Sequence, residues 1–298
     1  MSLSGRVVFQ TKLIQVGLFR CYPWQPWFED TGPIENYLIV FPRTSVRIIH
    51  AGREPIIANP NVVMFYNQGQ VYRRSKLSER GDLCEWFAFD SEAILDAVRP
   101  YDPWVQDQAD RPFALTHAPS DARSYLLQRR VVEYILNSAC PDQLYVEESM
   151  MYVLGTVVAN AYHARQGTQG NSACRPNPSH KELVDAVQTV LASHFRKPIS
   201  LAQIASAVHY SPYHLCRIFR RLTGFTVHRY LEQLRLRTAL EYVTQDDTDL
   251  TDLALSLGFS SHSHFAQMFK RTFGVPPSNL RRIPVSHPLP KLRKNSIA

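Results

Sequence analysis

SLAQIASAVHYSPYHLCRIFRRLTGF, Ser200 to Phe225, decides how this chain is read, because a second stretch, TDLALSLGFSSHSHFAQMFKRTFGV, Thr251 to Val275, repeats its plan. Ala205 and Ala254 hold equivalent places. Each stands three residues before an apolar residue, Val208 or Leu257, followed by a turn residue (His209 or Gly258), an aromatic (Tyr210 or Phe259) and a serine. Leu215 with Phe219, and Phe265 with Phe269, then recur at i, i+4 spacing and share a helical face. The match slips by one residue inside the turn, which predicts one extra residue there in the second unit.

A short helix, a tight turn and a second helix bury their apolar faces together and leave the outer face of the second helix free to enter a major groove. In the first unit Leu215, Ile218, Phe219 and Leu222 point inward, leaving Pro212, Tyr213, Cys216, Arg217 and Arg220 outward. In the second, Phe265, Met268, Phe269 and Phe273 point inward and His262, Ser263, Gln267, Lys270 and Arg271 remain. Arg and Gln side chains can make two bonds to a base edge, and the basic residues near the helix ends suit phosphates. Between the units, Thr226 to Thr244 contains no Gly or Pro and sets Val227, Tyr230, Leu231, Leu234, Leu240 and Val243 near one stripe, which predicts a single long helix. At about 1.5 Å per residue it spans roughly 28 Å. That approaches the roughly 34 Å repeat of B-DNA, so two recognition helices on such a rod can reach successive major grooves.

From Lys181 to Ile283 the sequence resembles the DNA-binding domain of AraC/XylS-type transcription regulators. The carrying residues are Ile204 and Ala205; Ser211, Leu215, Arg217 and Phe219; Thr223 and Gly224; Gly258 and Phe259; and Phe269, Lys270, Phe273, Gly274, Pro276 and Pro277. The resemblance implies that Tyr213, Cys216 and Arg217, and His262, Ser263 and Gln267, face DNA bases. It also implies a cupin-like N-terminal sensor domain, transcriptional activation and RNA polymerase as a partner. Two positions depart from the pattern: Leu280 stands where the family often has Tyr, and Val227 where it often has Pro.

Composition agrees with a polyanion-binding C-terminal half. Residues 179–298 hold 16 Lys/Arg against 8 Asp/Glu, about +8, whereas the rest of the chain, by subtraction from 33 and 26, holds 17 against 18. The basicity sits where the repeat sits. Five dispersed cysteines, with no CxxC among them, fit a reducing compartment better than a disulfide framework. The start MSLSGRVVFQTK has no apolar core of signal-peptide length, and the apolar run Met150 to Tyr162 is too short to span a bilayer, so a cytoplasmic protein without membrane contact is expected.

Phe9 to about Leu115 reads as mostly β, with strands at Tyr37–Phe41, Val46–His50, Val62–Tyr66 and Cys84–Phe89 between turn-forming clusters, the pattern of a sandwich or barrel. Trp24, Trp27, Trp86 and Trp104 all fall here, as core residues or as lining of a ligand cavity. Helices are expected over Ser120–Asn137 and Gln143–Arg165. The second is apolar over so much of its circumference that a homodimer surface is expected on it, to be broken by Leu154→Glu. QGTQGNSACRPNPS, Gln166 to Ser179, is a linker by composition, His180 to His194 a lead-in helix, and 284–298 a patternless, disordered tail.

The expected fold class is therefore α+β: a cupin-like β-barrel or sandwich with two helices over 1–165, the linker 166–179, and an all-α domain over 180–283 in which a long helix joins two helix-turn-helix units. Catalysis is not expected. Before the linker the histidines are His50, His117 and His163, with no closely spaced pair, and no GxSxG, phosphate loop or paired-carboxylate arrangement occurs. No metal or cofactor is called for, and Cys84 beside Trp86 reads as a buried packing residue. Arg47, His50, Tyr66, Tyr72, Arg73 and Trp86, on or beside strands, are candidates to meet a small organic effector. The alternative is an N-terminal domain that binds no small molecule and only dimerises or contacts proteins. The predicted function is sequence-specific binding of double-stranded DNA by a dimeric regulator.

Overall fold

The computed structural model of the protein describes residues 5–169, 178–244 and 248–284. Its N-terminal part contains β1 (Arg6–Gln10), β2 (Ile14–Cys21), β3 (Asp30–Thr31), β4 (Leu38–Pro42), β5 (Val46–His50), β6 (Ile56–Ala58), β7 (Val62–Tyr66), β8 (Tyr72–Lys76) and β9 (Asp82–Phe89). These are followed by α1 (Ser91–Val98), a 3-10 helix (Pro103–Gln108), β10 (His117–Pro119), α2 (Ala122–Asn137) and α3 (Gln143–Gln169). The rest is helical: α4 (Pro178–His194), α5 (Leu201–Ala207), α6 (Pro212–Thr223), α7 (Val227–Val243), α8 (Leu250–Ser256), α9 (His262–Phe273) and α10 (Pro277–Arg282). This is the expected α+β architecture. Of the expected linker, 166–169 continue α3 and 178–179 open α4; residues 170–177, like the tail 285–298, lie outside the described residues.

Two antiparallel sheets face each other, one ordered β1-β2-β9-β4-β7-β10 and the other β3-β8-β5-β6. Alternation along the strands sends successive side chains of the larger sheet to opposite faces. Val40, Met64, Tyr66, Cys84 and Trp86 join the apolar cluster between the sheets. Ile39, Phe41, Val63, Phe65, Phe87 and Phe89 join a second cluster with α1, α2 and α3. Both faces of β4, β7 and β9 are therefore dry.

The second cluster also includes Leu236, Leu240 and Val243 of α7 and Phe265, Phe269 and Phe273 of α9. The second helix-turn-helix unit thus shares an apolar core with the β part. The first has its own, in which Leu183, Val187 and Leu191 of α4 pack on Ile204, Leu215, Phe219 and Tyr230. α7 belongs to both, its first two turns in one core and its last three in the other.

Two expectations about the N-terminal part are corrected. Of the four tryptophans only Trp86 is buried; Trp24, Trp27 and Trp104 are 70%, 48% and 73% exposed, with Trp24 stacked on Tyr22 at 4.2 Å. They lie outside the strands, where no alternation turns them inward. Leu154 is 2% exposed within a single chain. α3 is apolar over much of its circumference because α1, α2 and β10 pack on it, so Leu154→Glu would put a charge into the chain's own core and cannot report on assembly.

Polar contacts tie α7 to the β part. Arg237, 3% exposed, donates through Nη1 to Asn61 Oδ1 (2.8 Å) and Gln233 Oε1 (3.0 Å), and through Nη2 to the Ser120 carbonyl (2.6 Å). Its guanidinium carbon lies 5.6 Å from the Tyr125 ring centroid. Burial pulls its pKa down to about 10, which still leaves it charged at neutral pH. Asn61 Nδ2 donates to the Tyr230 carbonyl (2.9 Å) and Asn59 Nδ2 to the Tyr230 hydroxyl (2.8 Å). Further along α7, Glu241 receives Arg43 at 3.4 Å and Arg80 at 3.0 Å.

Replacing Arg237 with Leu leaves Asn61 Oδ1 and the Ser120 carbonyl short of a donor, at roughly 1–3 kcal/mol for each acceptor left buried. Urea unfolding is expected to show a loss of that order. A change under about 0.5 kcal/mol, the scale of an ordinary surface substitution, would mean the contact is dispensable.

Candidate functional site

The two helix-turn-helix units are built by the same local chemistry. Ser211 caps α6 by accepting from the His214 amide (3.3 Å), and Ser261 caps α9 by accepting from the His264 amide (3.1 Å). Both helices end on a left-handed glycine, Gly224 at φ 75° and Gly274 at φ 79°. The turns share their backbone pattern: Tyr210 N donates to the Ala205 carbonyl and Phe259 N to the Ala254 carbonyl, each at 3.0 Å. α9 follows α6 by 50 residues whereas α8 follows α5 by 49; the extra residue lies between Phe259 and Ser261, inside the turn as the sequence predicts.

On α6, Leu215, Ile218 and Phe219 are buried, while Pro212, Tyr213, Arg217 and Arg220 are exposed and Cys216 is half-buried. On α9, Phe265, Phe269 and Phe273 are buried and His262, Ser263, Gln267, Lys270 and Arg271 are exposed. The fold brings these ten residues together as two outward faces that correspond at four places: Pro212 with His262, Tyr213 with Ser263, Arg217 with Gln267 and Arg220 with Lys270. Neither face is covered by the β part, although α9 packs on α2 from behind. α7, 17 residues at about 1.5 Å each, is roughly 26 Å long, slightly shorter than expected.

Sequence reasoning missed the side chain that fixes the second unit to the first. Arg235 of α7 donates to the carbonyls of Phe195 (2.7 Å), Gly258 (2.8 Å) and Lys197 (3.0 Å), so one guanidinium holds the end of α4 and the turn between α8 and α9. Burial lowers its pKa, against the pull of Glu232. An arginine in a run as basic as LRLR reads as surface, and only the three carbonyls around it say otherwise.

Between the two sheets lies a cavity of about 330 Å³. Of the six effector candidates, Tyr66, Tyr72 and Trp86 line it. Arg47, His50 and Arg73 do not. Alternation puts Arg47 and Arg73 on the outer face of the smaller sheet, where Arg47 acts on Asp185 of α4, a carboxyl that burial raises to about 6. His50 is buried behind the tyrosines, with ring centroids 5.5 Å from Tyr66 and 6.0 Å from Tyr72. Its Nδ1 stands 2.7 Å from Gln70 Nε2, and burial, followed by the Arg53 charge, lowers its pKa to about 4, so the neutral ring accepts from the amide. The wall also holds Arg74, which was not anticipated. It is 1% exposed, bonded through Nη1 to Asp82 Oδ2 (2.6 Å) and through Nε to the Phe28 carbonyl (2.5 Å). Burial would discharge it, but Asp82 and Tyr72 more than offset this and raise its pKa. Among the described residues no group of three His, Cys, Asp or Glu is placed to hold a metal ion, and no helix is long and apolar enough to cross a membrane.

Two helix-turn-helix units with matched exposed faces on a common spine define a DNA-binding domain. Residues 204–283 match the helix-turn-helix domain family. Regulatory protein SoxS of Salmonella typhimurium is 29% identical over 103 residues, 35% of this chain and 96% of SoxS. The transcriptional activator RhaS of Escherichia fergusonii is 36% identical over 92 residues, 31% of this chain and 33% of RhaS. The bifunctional transcriptional activator and DNA repair enzyme AdaA of Bacillus subtilis is 28% identical over 113 residues, 37% of this chain and 54% of AdaA. The chain spans about half the length of the first curated relatives it matches. Residues 204–283 thus form a helix-turn-helix DNA-binding domain of the AraC/XylS type.

The two turns should respond differently to substitution. His209 (φ 56°) and Gly258 (φ 82°) occupy the same left-handed position. A Cβ on Gly258 would come within 2.7 Å of Arg235 Nη2, which three carbonyls hold in place. Gly258→Ala is expected to cost about 1–2 kcal/mol for the left-handed backbone, plus whatever Arg235 loses. His209→Gly should stay within about 1 kcal/mol of the parent, because relief of strain and loss of unfolded-state restriction oppose each other. Equal sensitivity in thermal melts would contradict the difference that Arg235 makes between the two turns.

Proposed function

We propose that the chain is a sequence-specific regulator of transcription, an activator and a homodimer, whose 180–283 segment reads double-stranded DNA and whose 1–165 segment senses a small organic molecule, 166–179 joining them. The observation that carries the DNA-reading half is the pair of uncovered, equivalent faces on α6 and α9. Arg217 and Gln267, at matching positions, read bases, with Tyr213, Cys216, His262 and Ser263 beside them. Arg220, Lys270 and Arg271, in the basic last turns of the two helices, lie along the phosphates, and Pro212 opens the DNA-facing side of α6.

Activation is supported by the names of the relatives RhaS and AdaA, and contact with RNA polymerase follows from the same family reading. The cavity supports sensing, with Tyr66, Tyr72 and Trp86 as the effector-facing residues. Dimerisation is supported by the exposed stripe of α3, where Leu144 and Tyr152 are 72% and 58% exposed two turns apart.

Selection of duplexes from a random pool by the full chain tests this reading. The expected product is two short boxes, and Arg217→Ala should relax preference at one position of one box at a cost of about 1–3 kcal/mol, as loss of a bidentate contact to guanine does. A pool that stays random, or an equal loss on every sequence from Arg217→Ala, would contradict the assignment of base reading to that face.

A further inference from the structure

The chemistry of the cavity wall narrows what the cavity can hold. Aliphatic and thioether side chains line it from both sheets, Val40 and Met64 from the larger and Val46, Ile48 and Ala58 from the smaller. Its charged groups are one cation, Arg74, and two carboxylates, Asp82 and Glu35, so the wall holds no unmatched positive charge for an anion. The Arg74 guanidinium is already matched by Asp82 at 2.6 Å, and the Tyr66 and Tyr72 hydroxyls, both raised by burial, are neutral phenols. Two of its buried donors lack an acceptor. Arg74 Nη2 and Trp86 Nε1 have no partner among the described residues, although Arg74 and Trp86 are 1% and 6% exposed. The indole is also held in place: Gly17 stands opposite it on β2, and a Cβ there would meet the Trp86 ring at 2.1 Å. Buried donors without acceptors are costly and are found where a water or a ligand completes them.

From this wall we infer that the cavity takes an uncharged, predominantly apolar molecule carrying an accepting oxygen, of the ketone or ester class, and discriminates against the corresponding carboxylate. An aliphatic body packs on the apolar lining and displaces no bound charge. A carbonyl oxygen offers one or two of the wall's donors, among the phenols, the indole and the spare guanidinium nitrogen, the acceptor they lack. A carboxylate would either compete with Asp82 for Arg74 or leave a net negative charge in a dry site, and both are unfavourable. The inference rests on the reading of the cavity as the sensing site.

The test is titration of the full chain at pH 7.5, by calorimetry and Trp86-sensitive fluorescence, with two matched pairs: 2-nonanone against nonanoic acid, and methyl 2-naphthoate against 2-naphthoic acid. In at least one pair the neutral member is expected to bind about tenfold or more tightly than its acid. Tyr66→Phe or Tyr72→Phe, which removes only a hydroxyl, should weaken that neutral member severalfold without lowering the ligand-free melting temperature. An acid that binds as well as or better than its neutral partner would overturn the ligand class and leave the sensing site standing. No heat and no fluorescence change with any of the four would overturn both, and favour an N-terminal part that only dimerises or contacts proteins.

Discussion

A buried cation with no carboxylate partner among the described residues is the contact on which the arrangement of this molecule depends. Arg237 leaves α7, the spine of the DNA-binding domain, and finds its acceptors on Asn61, at the foot of β7, and on the Ser120 carbonyl, just ahead of α2. A guanidinium has five donors in a rigid fork; here Nη1 and Nη2 find acceptors in fixed directions, while Nε finds none among the described residues. Apolar packing between α7, α9 and α2 would tolerate sliding. The fork does not, so it selects one orientation of the helical domain against the sheets.

The same sheet separates the cavity from the seat of α7 by a single layer of backbone. On β4, Val40 and Pro42 look into the cavity while the next residue, Arg43, reaches Glu241 of α7. On β7, Met64 and Tyr66 line the cavity and the preceding Asn61 holds Arg237 and Tyr230. On β9, Asp82, Cys84 and Trp86 face the cavity, and Glu85 between them is fully buried on the other side against Arg129 of α2. Anything that changes the twist of these strands is felt at once at the cavity wall and at the seat of α7. Because both faces are packed, a shift on one side cannot be absorbed by solvent on the other.

How far the chain could be read from its residues follows from where its signals are local. The paired units were legible down to the extra residue between Phe259 and Ser261, since caps, turn residues and i, i+4 apolar pairs all lie within about 25 residues of one another. The strands β4, β5, β7 and β9 were legible as runs, but their facing was not. When both faces of a strand are buried, as in all of Val62–Tyr66, hydrophobicity carries no parity, and the sorting of Tyr66 and Trp86 into the cavity and Arg47 and Arg73 away from it needed the partner sheet. Arg74, Arg235 and Arg237 were missed for one reason: a basic residue in a basic segment is ordinarily solvated, and its burial is a property of distant acceptors. The three exposed tryptophans misled in the opposite sense, because ring size predicts burial only where an element turns the ring inward.

Everything about DNA reading comes down to whether α6 and α9 engage the duplex together. Hydroxyl-radical footprinting of the full chain on its selected site measures this directly. Two protected patches on one face of the duplex, centred about one helical turn or roughly 10–10.5 base pairs apart for each protomer, are the predicted result. A single patch, or two patches on opposite faces, would contradict a rigid α7 spine presenting both helices at once.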